Sequence, residues 1–230
     1  MIRPVEKIDN LVPIKTALIS VSDKSGLDVL VLALIMRCPG IKIISSGGTY
    51  GAIKQMLSEE AAAAHLVEVS EYTGQPETEG GLVKTLHHKL FLGYLTETYC
   101  PAHQEDLKRE NALPVDLVVI NLYPFQEVVA KKPKFEDARG NIDVGGPSAL
   151  RAAAKNFHRV MTLTDPYSYN PFIQQLDFFK KGQTDLRQRF IAACLTFRTL
   201  SEYDTAIYDY LRETMPTTVE ESYEIVKPTE

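Results

Sequence analysis

An acid, a glycine pair, a proline and a lysine share the run Asn141-Ile-Asp-Val-Gly-Gly-Pro-Ser-Ala-Leu-Arg-Ala-Ala-Ala-Lys-Asn156. Asp143 stands just before Gly145 and Gly146, whose amides can approach a ligand with no Cβ in the way. Pro147 suits the first turn of a helix. Ser148 to Asn156 reads as that helix, with Lys155 two turns along it. An acid and a lysine flanking exposed amides fit proton transfer and anion stabilisation. A loop capping an ordinary helix is the competing reading of this run taken alone.

Two further clusters suit a phosphate. Ser20, Ser22 and Lys24 lie where an apolar run ends, and Ser46-Gly47-Gly48-Thr49 lies where the next one ends. A helix N-terminus binds phosphate through unpaired amides, and glycine permits close approach. Lys24 would add charge. Taken alone, Ser46 to Thr49 also reads as a plain turn with a helix cap. Neither GxxxxGK[ST] nor GxGxxG occurs, so this is neither a Walker loop nor a dinucleotide fingerprint. The segment Gly80-Gly-Leu-Val-Lys-Thr-Leu-His-His-Lys89 is basic. It suits a solvated face, although Lys84 sits between apolar Val83 and Leu86, which suits a partly buried amine with a tunable pKa. Asn121-Leu-Tyr-Pro-Phe125 leaves an apolar run and turns at Pro124, so Tyr123 is either a core aromatic or a donor at a strand end.

The elements that must position these groups alternate. Thr16–Val21, Lys42–Ser45, Leu66–Val69, Asp116–Asn121 and Arg159–Leu163 read as strands. Gly26–Met36, the stretch from the Ser46–Thr49 loop to Leu57, and Thr184–Arg212 read as helical. Short apolar strands between helices predict a parallel sheet covered on both faces. On such sheets ligands bind at the carboxyl ends of the strands, where most of the polar clusters fall. The expected organisation is an α/β core over 15–165, a helical part over 166–212 and a loosely packed tail over 213–230.

Composition narrows the class. The 230 residues are 44% hydrophobic and 24% charged, with net charge -5. That suits a globular protein and argues against one that grips nucleic acid. Cys38, Cys100 and Cys194 form no CxxC, and no HExxH occurs, so no disulfide framework or metal site is expected. The first twenty residues carry Arg3, Glu6, Lys7, Asp9 and Lys15 rather than a signal-peptide core. The longest apolar run, Val29 to Met36, is far short of the ~20 residues of a membrane span. A cytoplasmic protein is expected.

Together these segments resemble one family, the inosine monophosphate (IMP) cyclohydrolase domain of the bifunctional purine-biosynthesis protein. The resemblance is carried by Ser20–Gly26, Ser46–Thr49, Val69–Gly74, Val83–His87, Asn121–Phe125, Ile142–Gly146 and Arg151–Asn156, in family order over roughly residues 15–212. Tyr203-Asp204 to Tyr210-Leu211 resembles the helix that closes the domain. The resemblance implies a three-layer, methylglyoxal-synthase-like α/β fold with a helical C-terminal addition. It implies closure of 5-formamidoimidazole-4-carboxamide ribotide to IMP and water, with no cofactor. Lys84, Tyr123, Asp143 and Lys155 would be the catalytic set. Lys155 and Tyr123 would serve the developing oxyanion, while Asp143 and Lys84 orient the carboxamide. Ser20, Ser22, Lys24, Ser46, Gly47, Gly48 and Thr49 would hold the phosphate. Thr85, Asn121, Gly145 and Gly146 would contact base or ribose. A homodimer is implied, and a separate formyl-transferring enzyme would act as partner to a stand-alone chain. Leu82 and His88 depart from the family's usual arginine and proline, which bears on substrate affinity. The competing readings are a nucleotide-sensing domain of the same fold and a methylglyoxal-synthase-like phosphate lyase.

Overall fold

The computed structural model describes residues 4–76, 78, 83–178 and 182–226. Strand β1 (Leu11–Pro13) leads to β2 (Thr16–Val21), α1 (Leu27–Arg37), β3 (Lys42–Ser45) and α2 (Gly47–Met56). Next come α3 (Glu59–His65), β4 (Leu66–Glu68) and α4 (Val69–Thr73). Helices α5 (His88–Leu95) and α6 (Pro101–Arg109) precede β5 (Leu117–Asn121). Short helices α7 (Phe125–Ala130) and α8 (Phe135–Gly140) lead to α9 (Gly145–Lys155) and β6 (Met161–Leu163). A 3-10 turn, Pro166–Ser168, opens onto α10 (Tyr169–Phe178), which is followed by β7 (Gln183–Asp185), α11 (Leu186–Glu213) and α12 (Pro216–Glu221).

The main sheet is parallel throughout, in the order β4-β3-β2-β5-β6. The runs Ala17–Ile19 of β2 and Leu117–Ile120 of β5 are continuously apolar because both faces are covered. Alternate residues divide between two cores. Ala17, Ile19, Leu117 and Val119 pack with Leu30 and Leu34 of α1 and Phe172 of α10. Leu18, Val118 and Ile120 pack with Leu90 of α5, Leu150 of α9 and Leu200 of α11. The C-terminal part is therefore built into the layers, with α10 over one face and α11 over the other.

The amino-end edge of the sheet is sealed by charge. Arg159 donates to Asp116 at 3.0 Å, and Asp116 also accepts the amides of Lys15 and Thr16. Arg189 is fully buried and donates to the carbonyls of Asp9, Asn10, Phe157, His158 and Thr184. It thereby fastens the antiparallel β1–β7 pair beneath the α9–β6 turn. These interactions leave the carboxyl-end edge for a site.

Several boundaries differ from the sequence reading. Ser46 to Thr49 is no loop: Ser46 is the N-cap and Gly47 already begins α2. Helix α9 likewise begins at Gly145, before Pro147. Val69 opens a short helix that stops at Gly74, whose left-handed backbone ends it. Helix α11 starts at Leu186 because Thr184 is committed to β7, and Asp185 with Gln188 forms a capping box. The tail is exposed yet carries α12, and Tyr223 donates to Glu136 while packing edge-on against Phe135.

Candidate functional site

Two helix N-termini face each other across the carboxyl edge of the sheet. No side chain caps α2, so its first amides stay unpaired within the helix. Gly47 has φ +53, a left-handed conformation that glycine tolerates. A Cβ there would stand 3.3 Å from the Lys84 amine, which places that cation against the opening of α2. Gly48 borders open space. Amides, helix dipole and a lysine together are suited to an anion. The adjoining cleft is lined by Ser46, Ser70, Thr73, Val83 and Lys84.

Thr85, the next residue, serves the other helix. A Cβ on Gly145 would stand 2.5 Å from the Thr85 hydroxyl, and one on Gly146 would collide with the Asp143 carboxylate and with Leu122. Only glycine permits this approach. The Asp143 carboxylate accepts the Gly146 amide at 3.0 Å, and its own amide donates to the Tyr203 hydroxyl at 2.7 Å. Burial raises its pKa, opposed by the amides of Gly146 and Gly145. The Lys84-Thr85 pair thus spans the two helix starts. It links an anion site to a half-buried carboxyl, an arrangement suited to a phosphorylated substrate whose reacting end needs a proton relay.

Other candidates are placed differently. The Thr49 hydroxyl is buried and exchanges hydrogen bonds with Val21, accepting its amide and donating to its carbonyl, each at 3.0 Å. Thr49 can therefore offer a ligand only its amide. The Asn121 side-chain oxygen accepts from the Ser22 amide at 2.5 Å, the Ser22 hydroxyl at 2.8 Å and the Asp23 amide at 2.9 Å; its nitrogen donates to the Asp23 carbonyl. These bonds tie the ends of β2 and β5 together, so Ser22 and Asn121 shape the site's floor. Ser20 is half-buried within β2. Lys24 is exposed, its amine 3.4 Å from the Val21 carbonyl. Tyr123 lies just past β5 at the carboxyl-end edge and is 57% exposed.

Lys155 is not brought to this site within one chain. It ends α9, whereas Asp143 precedes its start. At 1.5 Å per residue, the Cα atoms of Gly145 and Lys155 lie about 15 Å apart along the axis. Lys155 sits at the amino-end edge of the sheet, where its charge acts on His158. The sequence reading, in which its amine reaches the strand ends, is corrected on this point.

In the basic segment, Lys89 is structural: it donates to the Tyr72 carbonyl at 2.7 Å and lies over the Tyr72 ring. His88 occupies the first position of α5, a place that favours proline, and His87 caps that helix by accepting the Lys89 amide. The departure at 88 therefore leaves the helix start intact. Leu82, Gly80 and Gly81 lie outside the described residues. Among the described residues, Glu97, Cys100 and His103 bring metal-ligand atoms within 4.8 Å of one another. The Nδ1 of His103 there already accepts the Glu97 amide at 3.2 Å. Tyr203 is the contributor that motif reading did not assign to the site; its only signal was the resemblance of Tyr203-Asp204 to Tyr210-Leu211 to the helix that closes the domain.

The fold and the two glycine-opened helix starts define a class of protein, and comparison with known families agrees. The MGS-like domain model matches residues 29–148, and the chain belongs to that family. The AICARFT/IMPCHase bienzyme model matches residues 153–229. The bifunctional purine biosynthesis protein PurH of Ruminiclostridium cellulolyticum is 39% identical over 217 residues, covering 92% of this chain and 40% of that protein. PurH of a Thermoanaerobacter species is 42% identical over 198 residues, covering 86% and 37%. The chain thus spans about two fifths of the curated relatives it matches. A solved structure titled "Crystal structure of ForH" superposes with a TM-score of 0.68 at 28% identity, covering 85% of this chain and 97% of that one.

Proposed function

We propose that this chain is an IMP cyclohydrolase, closing 5-formamidoimidazole-4-carboxamide ribotide to IMP and water. The observation that carries the reading is the Lys84-Thr85 link between an uncapped helix start and the Asp143-Gly145-Gly146 cradle. The PurH relatives supply the reaction class.

The 5′-phosphate lies at the α2 N-terminus, on the amides of Gly47, Gly48 and Thr49, with Lys24 above the end of β2. The carboxamide nitrogen attacks the formyl carbon. A C–N bond forms and negative charge grows on the formyl oxygen; its C–O bond then breaks, and the oxygen leaves as water with one proton from the carboxamide nitrogen and one from the formamido nitrogen, leaving the C=N bond of the new ring. Asp143 orients the carboxamide and takes up a proton from its nitrogen. Tyr123 faces the developing charge, while the amides of Gly145 and Gly146 hold the Asp143 carboxylate. Lys84 holds the substrate between its two ends. No metal or redox group enters these steps. Among the described residues no helix is long and apolar enough to cross a membrane. The cytoplasm is proposed as the site of the reaction from the likeness to purine-biosynthesis enzymes. A formyl-transferring activity supplies the substrate, and two copies associate through the exposed face of α11.

Incubating purified protein with the formamido ribotide and following ultraviolet absorbance tests the proposal. IMP should accumulate in proportion to protein. Tight IMP binding without turnover would favour the nucleotide-sensing reading.

A further inference from the structure

We infer that Tyr203 is a positioning residue for Asp143, so that α11 forms part of the working site rather than only a cover for the sheet. The inference rests on the proposed role of Asp143. The Tyr203 hydroxyl accepts the Asp143 amide at 2.7 Å, across sixty residues of chain. Asp143 is therefore held at two points: its amide by Tyr203 and its carboxylate by the Gly146 amide. Neither hold alone fixes the carboxyl, because rotation of the preceding loop would swing it about the other.

Tyr203 is suited to the task. It is 8% exposed, and its ring packs edge-on against Phe125 with centroids 6.4 Å apart. A buried aromatic with only two side-chain torsions keeps its hydroxyl in one place. The helix behind it is braced by the next residue, since Arg151 of α9 donates to Asp204 at 3.0 Å. Asp143 and its supporting tyrosine are thus referred to the same α9–α11 contact. Misplacing a reacting group by about 1 Å can cost about a hundredfold in rate.

Tyr203→Phe keeps the ring and removes the acceptor. It should lower kcat about tenfold to a hundredfold while IMP affinity stays within about threefold. The acid limb of the kcat profile should move to lower pH as Asp143 loosens into water. Hydrogen exchange at residues 142–146 should quicken. Phe125→Leu loosens the packing while leaving the hydroxyl and should lower kcat far less. Unchanged kcat, pH limb and exchange in Tyr203→Phe would overturn the inference, as would an equal loss in Phe125→Leu. If the wild type does not turn over, the proposed function fails separately. Exchange then decides the inference alone: a protected Asp143 amide freed by Tyr203→Phe upholds it, and equal protection overturns it.

Discussion

Asp143 combines two opposed influences. Burial raises its carboxyl pKa, and the amides of Gly146 and Gly145 favour its charged form. A base must be ionised, so kcat should fall as pH drops through a value above the ordinary aspartate range. Asp143→Asn should remove that limb and lower kcat by about 10²-fold or more. Stability should move the other way. A carboxyl with a raised folded pKa contributes fully below its unfolded value and loses that contribution as pH rises through the folded one. At neutral pH the neutral asparagine should therefore leave the thermal midpoint no lower than wild type, which a melting scan at two pH values checks. At the other end of the site, Lys24→Ala should weaken nucleotide binding, with the loss shrinking at high salt because this amine is exposed. Equal binding of nucleoside and nucleotide by the wild type would refute the phosphate assignment.

At the scale of elements, the starts of α2 and α9 matter more than their lengths. Gly146→Ala inserts a Cβ where Asp143 and Leu122 already sit. It should abolish most activity while leaving α9 formed, as circular dichroism would report. Lys155, at the far end of α9, offers the contrast. Lys155→Ala should cost much less than Lys84→Ala; a loss of equal size would mean that the amine reaches the site from a second copy. The apolar strands were legible because both faces are buried, and β2 and β3 fall on the expected residues. Position along a helix was legible too, but not which sheet edge its end would face, and this misplaced Lys155. The committed hydroxyls of Ser22 and Thr49 were unreadable because their partners lie 99 or 28 residues away. The β1–β7 pair, three residues per strand, has too little periodicity to register.

For the whole molecule, stability and activity occupy opposite edges of one sheet. The Arg159–Asp116 pair, 8% and 9% exposed, belongs to the stabilising edge. Removing one partner leaves a buried charge alone, so Asp116→Ala should cost about 3–5 kcal/mol in urea denaturation. Along α11, Phe190, Ile191, Leu195 and Phe197 remain 42–52% exposed. Light scattering at micromolar concentration should find a dimer covering them, and a monomer would count against that assembly. The central claim is that the Lys84–Asp143 edge closes a purine ring. The most direct measurement is single-turnover conversion of the formamido ribotide, with wild type and Asp143→Asn compared at equal IMP affinity. The account predicts that IMP forms with wild type and at least about a hundredfold more slowly with the variant. Saturable IMP binding by both proteins with no conversion by either would contradict it.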